Sequence, residues 1–405
     1  MLRSMFAGVS GLRSHQTMVD VVGNNIANVN TTGYKSSSVV FQDLLSQVLN
    51  GAGAPDAMNG GTNPAAVGLG VKVAGITTSF TQGASQLTGR ATDLSIQGDG
   101  FFSVRQGNET LYTRAGALDF DAMGRLVTSD GAVVQGWMAD GTGAINSNGA
   151  PSDLRMPLGQ SLAPRATETA VFGGNLDASL AVGESIITGI DVFDDLGAAT
   201  KISAQFTRTA AGWDLEVDTD ADGTYDEGPI ALTFDGTTGE LTSTIPPITV
   251  AGQAITLDFG APGSANALVQ FAGPSSVTAI SQDGYELGSL QSFTIGQDGV
   301  VTGVFSNGRN RALGQLAIAS FTNPMGLEKA GSSTYRQTVN SGLANIGAAG
   351  TGGRGQLLGA TLEMSNVDLA QEFTNLIIAQ RGFQANSRVI SASDEILQDL
   401  VNLKR

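Results

Sequence analysis

Cysteine is absent from this chain of 405 residues, histidine occurs once, and charged side chains make up only 14% of it. Without thiols there is no disulfide and no thiolate metal site. A single histidine, His15, excludes a two-histidine zinc site and leaves little basis for a Ser-His-Asp triad. Long apolar runs are missing too: none exceeds four residues, as at Leu376–Ala379, whereas a membrane-spanning helix needs about 18. No membrane insertion is expected. The first residues, MLRSMFAGVSGLRSHQ, carry neither an unbroken apolar segment nor a small-residue cleavage box, so no secretory signal peptide is expected. Basic residues are scarce, 21 against 37 acidic, and a net charge of −16 argues against nucleic acid as a partner. None of the lysines follows a glycine, which excludes a P-loop, and G-x-S-x-G does not occur. No catalytic residue and no cofactor are indicated.

Glycine, by contrast, is plentiful, at 55 residues, and its placement divides the chain. Residues 1–50 and 361–405 together hold 5 glycines and no proline, while the stretch between them holds the other 50 glycines and all 11 prolines. Glycine costs about 1 kcal/mol and proline about 3 in a helix interior, so the ends can be helical and the middle mostly cannot. Charge divides as sharply: residues 146–284 contain 18 acidic and 4 basic side chains, a net of −14.

At the N-terminus Leu2, Met5, Phe6, Val9, Leu12, Val19, Val22 and Ile26 recur three and four apart, which predicts a helix over about 2–28 with one apolar face. At the other end Ser365 and Asn366 are cap candidates, with Asp368 in the first turn. Leu369, Leu376, Phe383, Ile390 and Leu397 then fall seven apart, with a companion stripe of Phe373, Gln380, Ser387, Asp394 and Val401, and Ile377, Leu400 and Leu403 widen the face. A helix over 366–404 would be roughly 50 Å long, which suggests a coiled coil, although an ordinary antiparallel helix pair gives the same pattern. Polar Gln16, Gln380 and Ser387 at seam positions would fix register or line a wet surface.

The middle reads as β. Leu94–Val104, Leu111–Phe120, Gly124–Val134, Ile186–Phe193, Lys201–Thr207 and Trp213–Val217 are short, rich in β-branched or aromatic residues, and bounded by Gly, Asp or Asn. Such spacing indicates sandwiches or barrels. Glycine-rich stretches at 51–70 and 347–359 flank this region like hinges. The expected fold is therefore mainly β with long terminal α-helices: an elongated multidomain rod with a coiled-coil inner domain and β-sandwich or barrel middle and outer domains. The expected domains are 1–35 with 362–405 for helical assembly, 36–70 with 341–361 as linkers, 71–145 with 285–340 as a first β-domain, and 146–284 as an acidic outer one.

One local motif suggests a metal. Asp218, Asp220, Asp222 and Gly223 begin like an EF-hand loop, but the twelfth position is Pro229 rather than a bidentate glutamate. Asp226 and Glu227 stand nearby, and the plainer reading is an acidic turn between two strands. Paired carboxylates such as Asp194 and Asp195 are expected to be solvated, and His15 beside an apolar helix face to be structural.

A more specific segment is Gly23–Lys35, GNNIANVNTTGYK, a helix end rich in asparagine followed by a turn at Gly33. It resembles the signature N-x-A-N-x-x-T-x-G-[YF] of the bacterial flagellar rod and hook family. The matching residues are Asn25, Ala27, Asn28, Thr31 or Thr32, Gly33 and Tyr34. Glu363–Ser387, EMSNVDLAQEFTNLIIAQRGFQANS, is similar to that family's closing helix, and Gly98–Phe102, Phe172–Asp177 and Val192–Gly197 resemble internal segments of its hook members. The length and the acidic central block imply a hook-type subunit rather than a shorter distal rod subunit.

The resemblance implies a self-assembling helical tube, a flexible joint that carries torque, with no catalysis. It implies a flagellar location outside the cell after unfolded export through the flagellar type III apparatus. The implied partners are further copies of the chain and the rod, hook cap and hook-filament junction proteins. The residues it implicates in assembly are the motif above and Leu369, Phe373, Leu376, Gln380, Phe383, Ile390 and Leu397. Two readings from other classes remain, a calcium-dependent secreted β-domain adhesin and a carboxylate-based glycoside hydrolase, and neither accounts for the two end motifs.

Overall fold

The computed structural model describes residues 2–54, 60–156, 159, 161–250 and 252–402, with the side chains of Leu2, Leu400 and Val401 outside that description. Two compact units are present, one made of Met1–Pro157, Phe293–Thr302 and Ala312–Arg405, the other of Leu158–Ser292 and Gly303–Arg311. The chain is mainly β, with helices only at its ends apart from one 3-10 turn at Pro324–Gly326 among the described residues.

In the first unit, helix α1 spans Leu2–Ala27 and helix α2 spans Leu369–Asn402. Both match the glycine-poor, proline-free ends. The expected α2 start near 366 is three residues early, and residues 403–404 lie outside the described residues. Strand Ser37–Asp43 leaves the motif turn and pairs antiparallel with Val71–Thr78, with a bulge at Val40/Phe41. Ser46–Asn50 pairs with Ala65–Gly68 beyond it. The glycine-rich stretch 51–70 therefore includes part of a two-stranded ribbon, where a hinge was expected.

The body of this unit is a sheet centred on Phe101–Gln106. It pairs with Glu109–Thr113 on one side and with Val133–Met138 and Ile318–Ser320 on the other. The expected single strand Leu94–Val104 is two, Leu94–Gln97 and Phe101–Gln106. The cause is local: Gly98 and Gly100 take φ of 101° and 137°, where a side chain is strained, and turn the chain between the strands. Phe101, Tyr112 and Tyr335 form a buried aromatic cluster with Phe80 and Phe321. Its rings meet edge-on, with centroids 4.8 to 5.9 Å apart.

The second unit is a β-sandwich. An antiparallel meander of Ser185–Phe193, Ala199–Arg208, Trp213–Asp218 and Glu227–Leu232 forms one sheet. The other is built around Thr169–Asp177, which pairs with Gln253–Asp258, Leu268–Phe271 and Thr278–Gln282. Phe172 and Leu176 from the second sheet and Ile202, Phe206, Trp213 and Leu215 from the first share one core, and none of these side chains is exposed at all. Alternation along Ala199–Arg208 puts Ile202, Ala204 and Phe206 inside and polar neighbours outside, so charge concentrates on the surface.

Candidate assembly site: the joined chain ends

Helices α1 and α2 run antiparallel, and residue numbers fall along α2 as they rise along α1. Ser4 Oγ lies 3.3 Å from Ser393 Oγ, and near the other end Asn25 Nδ2 donates to Glu372 Oε1 at 3.1 Å. The seam between them is made of small residues. A Cβ added to Gly8 would sit 3.1 Å from Ile390, one on Gly11 2.7 Å from the Asn386 amide, and one on Gly382 2.5 Å from the His15 ring. Gly8, Gly11, Ser14, Val22 and Asn25 are buried on α1, and Glu372, Ala379 and Ser393 on α2.

The expected apolar faces are turned only in part to the seam of the single chain. On α1, among the described residues of the predicted set, Val22 is buried, Met5, Leu12, Val19 and Ile26 are half-buried, and Val9 and Phe6 are exposed, Phe6 to 70%. On α2 Leu376, Ile390 and Leu397 are half-buried, but Leu369, Phe373 and Phe383 are exposed, as are Gln380, Ser387 and Asp394. The stripe that packs beside Leu376 and Ile390 is Glu372, Ala379, Asn386 and Ser393, one residue before the predicted companion. The reason is steric: backbones brought together over glycine leave no room for Phe373 or Phe383 between them. Val401 and Leu403 lie outside the described residues as side chains. Gln16 and Gln380 are exposed and stabilise no seam in the single chain.

The helix start is also corrected. Asp368 caps α2, accepting from the amides of Ala370 at 2.9 Å and Gln371 at 3.2 Å. Asn366 instead reaches back to the N-terminal segment, accepting from the Ser36 amide at 2.8 Å and donating to the Ser79 carbonyl at 2.9 Å.

The signature residues Asn25 to Tyr34 face inward for the most part. Asn25, wholly buried, acts as a substitute strand partner: its Oδ1 accepts from the Ser37 amide and its Nδ2 donates to the Ser37 carbonyl at 2.7 Å. Asn28 closes α1 by donating to the Asn24 carbonyl at 2.9 Å, and Thr31 donates to Asn28 Oδ1. Gly33, at φ 67°, gives its amide to the Glu363 carbonyl at 2.8 Å and lies against backbone; a Cβ there would stand 2.5 Å from the Ala115 nitrogen. Tyr34 donates to Asn25 Oδ1 at 3.2 Å, and the Lys329 ammonium lies 5.2 Å from its ring centroid. Burial, then the nearby Glu372, push the Tyr34 hydroxyl up. Ala27 is exposed and Thr32 half-buried, and neither joins this set.

Two residues that sequence reasoning did not single out hold the arrangement together. Lys35 Nζ lies 2.6 Å from Glu363 Oε1 with both side chains wholly buried, and also donates to the Thr81 carbonyl at 2.7 Å. Glu363 Oε1 accepts from the Gly83 amide at 3.0 Å, and its Oε2 lies 3.5 Å from Arg114 Nη1. Burial pulls both Lys35 and Arg114 down from their ordinary values, with the Glu363 carboxylate working against it. A signal was present: Lys35 is the only charged residue between Asp20 and Asp43, and Glu363 the only one between Arg354 and Asp368.

Asp218, Asp220 and Asp222 do converge, with one carboxylate oxygen from each within 4.8 Å of the others. Asp218, however, accepts from the amides of Ala221 at 2.8 Å and Gly223 at 3.1 Å, so its lone pairs already close the turn. With Pro229 in the twelfth position the residues fit an Asx-type turn better than a calcium cage.

Two terminal helices that pack on each other, with β-units between them in the sequence, accord with the family profiles of axial flagellar proteins. The flagella basal body rod protein profile matches residues 5–35 and the flagellar basal body rod FlgEFG protein C-terminal profile residues 359–403. Between them the flagellar hook protein FlgE/F/G D1 domain matches residues 95–161 and the flagellar basal body protein FlaE D2 domain residues 184–285.

The chain is 43% identical over 463 aligned residues to the flagellar hook protein FlgE of Treponema pallidum, covering 100% of both chains. It is 41% identical over 442 to that of Borreliella burgdorferi, again over 100% of both. The crystal structure of Helicobacter pylori flagellar hook protein FlgE2 shares the fold, with a TM-score of 0.56 at 16% identity, over 69% of this chain and 100% of that one. The chain belongs to the flagellar hook protein FlgE family. It is a structural protein of the flagellar hook, in a family without catalytic activity.

Proposed function

We propose that the chain polymerises into the hook tube through its joined ends, giving a flexible joint that passes torque from rod to filament. One observation carries this reading: the helix pair closes over glycine and serine and leaves its large apolar side chains outside. Phe6 is 70% exposed, Ile377 58%, Ile378 54% and Ile396 52%. Fully burying such a side chain is worth roughly 1.5–3 kcal/mol, so the pair is completed by neighbours rather than by itself. On this reading Leu369, Phe373, Leu376, Gln380, Phe383, Ile390 and Leu397 serve assembly in two ways. The half-buried ones seat α2 on α1, and the exposed ones meet other subunits. Asn25, Asn28, Gly33 and Tyr34 serve it indirectly, by fixing α1 to the base of α2.

The partners are further copies of the chain, the rod below, the hook cap during growth and the junction proteins above. The type III export apparatus passes the unfolded chain outward. The four segments expected from the sequence take the roles of inner helical domain, linkers, first β-domain and acidic outer domain. Weakly charged, glycine-rich surfaces suit contacts that slide as the joint bends, because bidentate ion pairs would hold one register.

Deleting residues 2–30 and 366–402 tests the reading. The expected product is a folded, monomeric β core that no longer forms tubes in sedimentation or electron microscopy. Tube formation by that core, or a full chain that stays monomeric under every assembly condition, would overturn it.

A further inference from the structure

Resting on that assembly reading, we propose that the helix pair carries both halves of one contact: an apolar ridge on one flank of α2 and a cleft on the other that receives the ridge of a second copy of this chain. The cleft, about 530 Å³, is bounded by Ala7, Gly8, Gly11, His15, Phe41 and Val389 among others. No lysine, arginine, aspartate or glutamate lines it. The glycines that let the two helices approach also hollow this surface.

The ridge is Phe373 and Ile377, 51% and 58% exposed, continued by Arg381 at the same four-residue interval. Side chains in such a row form the ridges that pack into a facing helix's grooves. Phe373 and Val389 are sixteen positions apart on α2, which at 3.6 residues per turn puts them roughly 160° apart around the helix. Ridge and cleft therefore face different ways, and one chain cannot fill its own cleft. A contact between unlike surfaces does not close on itself in pairs; repeated from copy to copy it makes rings or helical tubes.

Charge selects the same occupant. Asp43 is exposed on the face of its strand that also carries Phe41, so it stands at the rim of the cleft opposite Val71. Arg381 is exposed on the ridge and donates to Gln384 Oε1 at 3.5 Å on its own helix. Neither takes part in an ion pair among the described residues. When the ridge of one copy enters the cleft of the next, an arginine meets an aspartate between two chains that each carry a net charge of −16.

The chain has no cysteine, so crosslinking is clean. In the antiparallel pair Ala7 lies near Ile390, thirteen residues from Ile377, or roughly 20 Å along α2, beyond the reach of a disulfide within one chain. Polymers of the full-length double variant Ala7→Cys/Ile377→Cys are expected to give covalent ladders on mild oxidation, and neither single variant to do so. Asp43→Arg and Arg381→Asp are each expected to raise the critical concentration for polymerisation about 5- to 10-fold, and the two combined to restore it to within about 2-fold. No ladder in the double variant, or ladders from a single variant, would overturn the contact. So would charge reversals that fail to rescue each other. Normal tubes with those results would leave the assembly reading standing, whereas an unmodified chain that never polymerises would remove both.

Discussion

The Lys35 ammonium and the Glu363 carboxylate, 328 positions apart in the chain, meet at 2.6 Å with no solvent contact on either side chain. Removing one member of such a buried pair leaves the other charged and uncompensated, at a cost of roughly 3–5 kcal/mol. Lys35→Met and Glu363→Gln are each expected to lower the unfolding midpoint of the first unit. The double variant should cost less than the sum of the two, because Lys35 is then no longer left without its carboxylate, although Arg114, 3.5 Å from Glu363, still loses its partner. Denaturant melts of the four proteins of that cycle measure the coupling, and strict additivity would show that the pair does not act as a unit.

Gly33 has no room for a side chain. Its positive φ costs an L-residue about 1–2 kcal/mol, and a Cβ would meet the Ala115 nitrogen at 2.5 Å, a backbone atom that cannot rotate away. Gly33→Ala is expected to destabilise the first unit by at least about 2 kcal/mol, read as a lowered melting midpoint. Gly23 provides a matched control, since a Cβ there meets nothing within 4 Å. Gly23→Ala should be neutral or mildly stabilising in α1.

Gly11 limits how closely the helices approach. Gly11→Val would drive the Asn386 amide aside and separate the seam, and hydrogen exchange of α1 and α2 amides in the assembled tube should quicken while the sandwich of the second unit keeps its protection. Equal protection in both proteins would mean that the seam tolerates a wider spacing.

Glu372 predicts a pH dependence. Burial raises its carboxyl above the ordinary 4.5, and the Asn25 hydrogen bond offsets this only in part. The folded state thus holds the proton more tightly than the unfolded one. Its contribution is fully present below 4.5 and is lost as pH rises through the raised folded value. Protection factors of amides around Asn25 and Glu372, corrected for the intrinsic pH dependence of exchange, should therefore rise on acidification through that window, and Glu372→Gln should abolish the local change.

Calcium is expected to leave the second unit unaltered. Asp218→Asn should lower its melting midpoint equally with and without added calcium, because the Asp218 carboxylate closes the turn through the Ala221 and Gly223 amides. A calcium-dependent rise in the unsubstituted chain, lost in the variant, would revive the metal reading.

Helix positions were legible because they follow from backbone preference: α1 and α2 both lie in the segments without proline and nearly without glycine, although residues 37–43 and 46–50 of those segments form strands and the cap of α2 is Asp368 rather than Ser365 or Asn366. The packed face was not legible. Apolar periodicity follows the large side chains, many of which stay exposed in the single chain, whereas the seam within one chain is written in Gly8, Gly11, Ala379 and Gly382. Strand segments were found, but Gly98 and Gly100 divided one of them by their backbone angles. The motif was visible as a pattern, yet its direction was not: the asparagines of the helix end include Asn25, a buried clip for Ser37. Lys35 and Glu363 were readable in principle, since a charge isolated in a long neutral stretch is either exposed or paired.

The clasp draws on opposite extremes of the chain, with Asn25 meeting Glu372 across 347 positions and Ser4 meeting Ser393 across 389. Contacts this distant in sequence form late, after nearly all of the chain has become available. A molecule cut short anywhere before Glu363 would leave Lys35 without its counter-ion and Gly33 without the Glu363 carbonyl, so α1 would rest only on the strands Ser37–Asp43 and Val71–Thr78. The clasp thereby records completeness: its bonds close only in a polypeptide that extends through Glu363, Glu372 and Ser393.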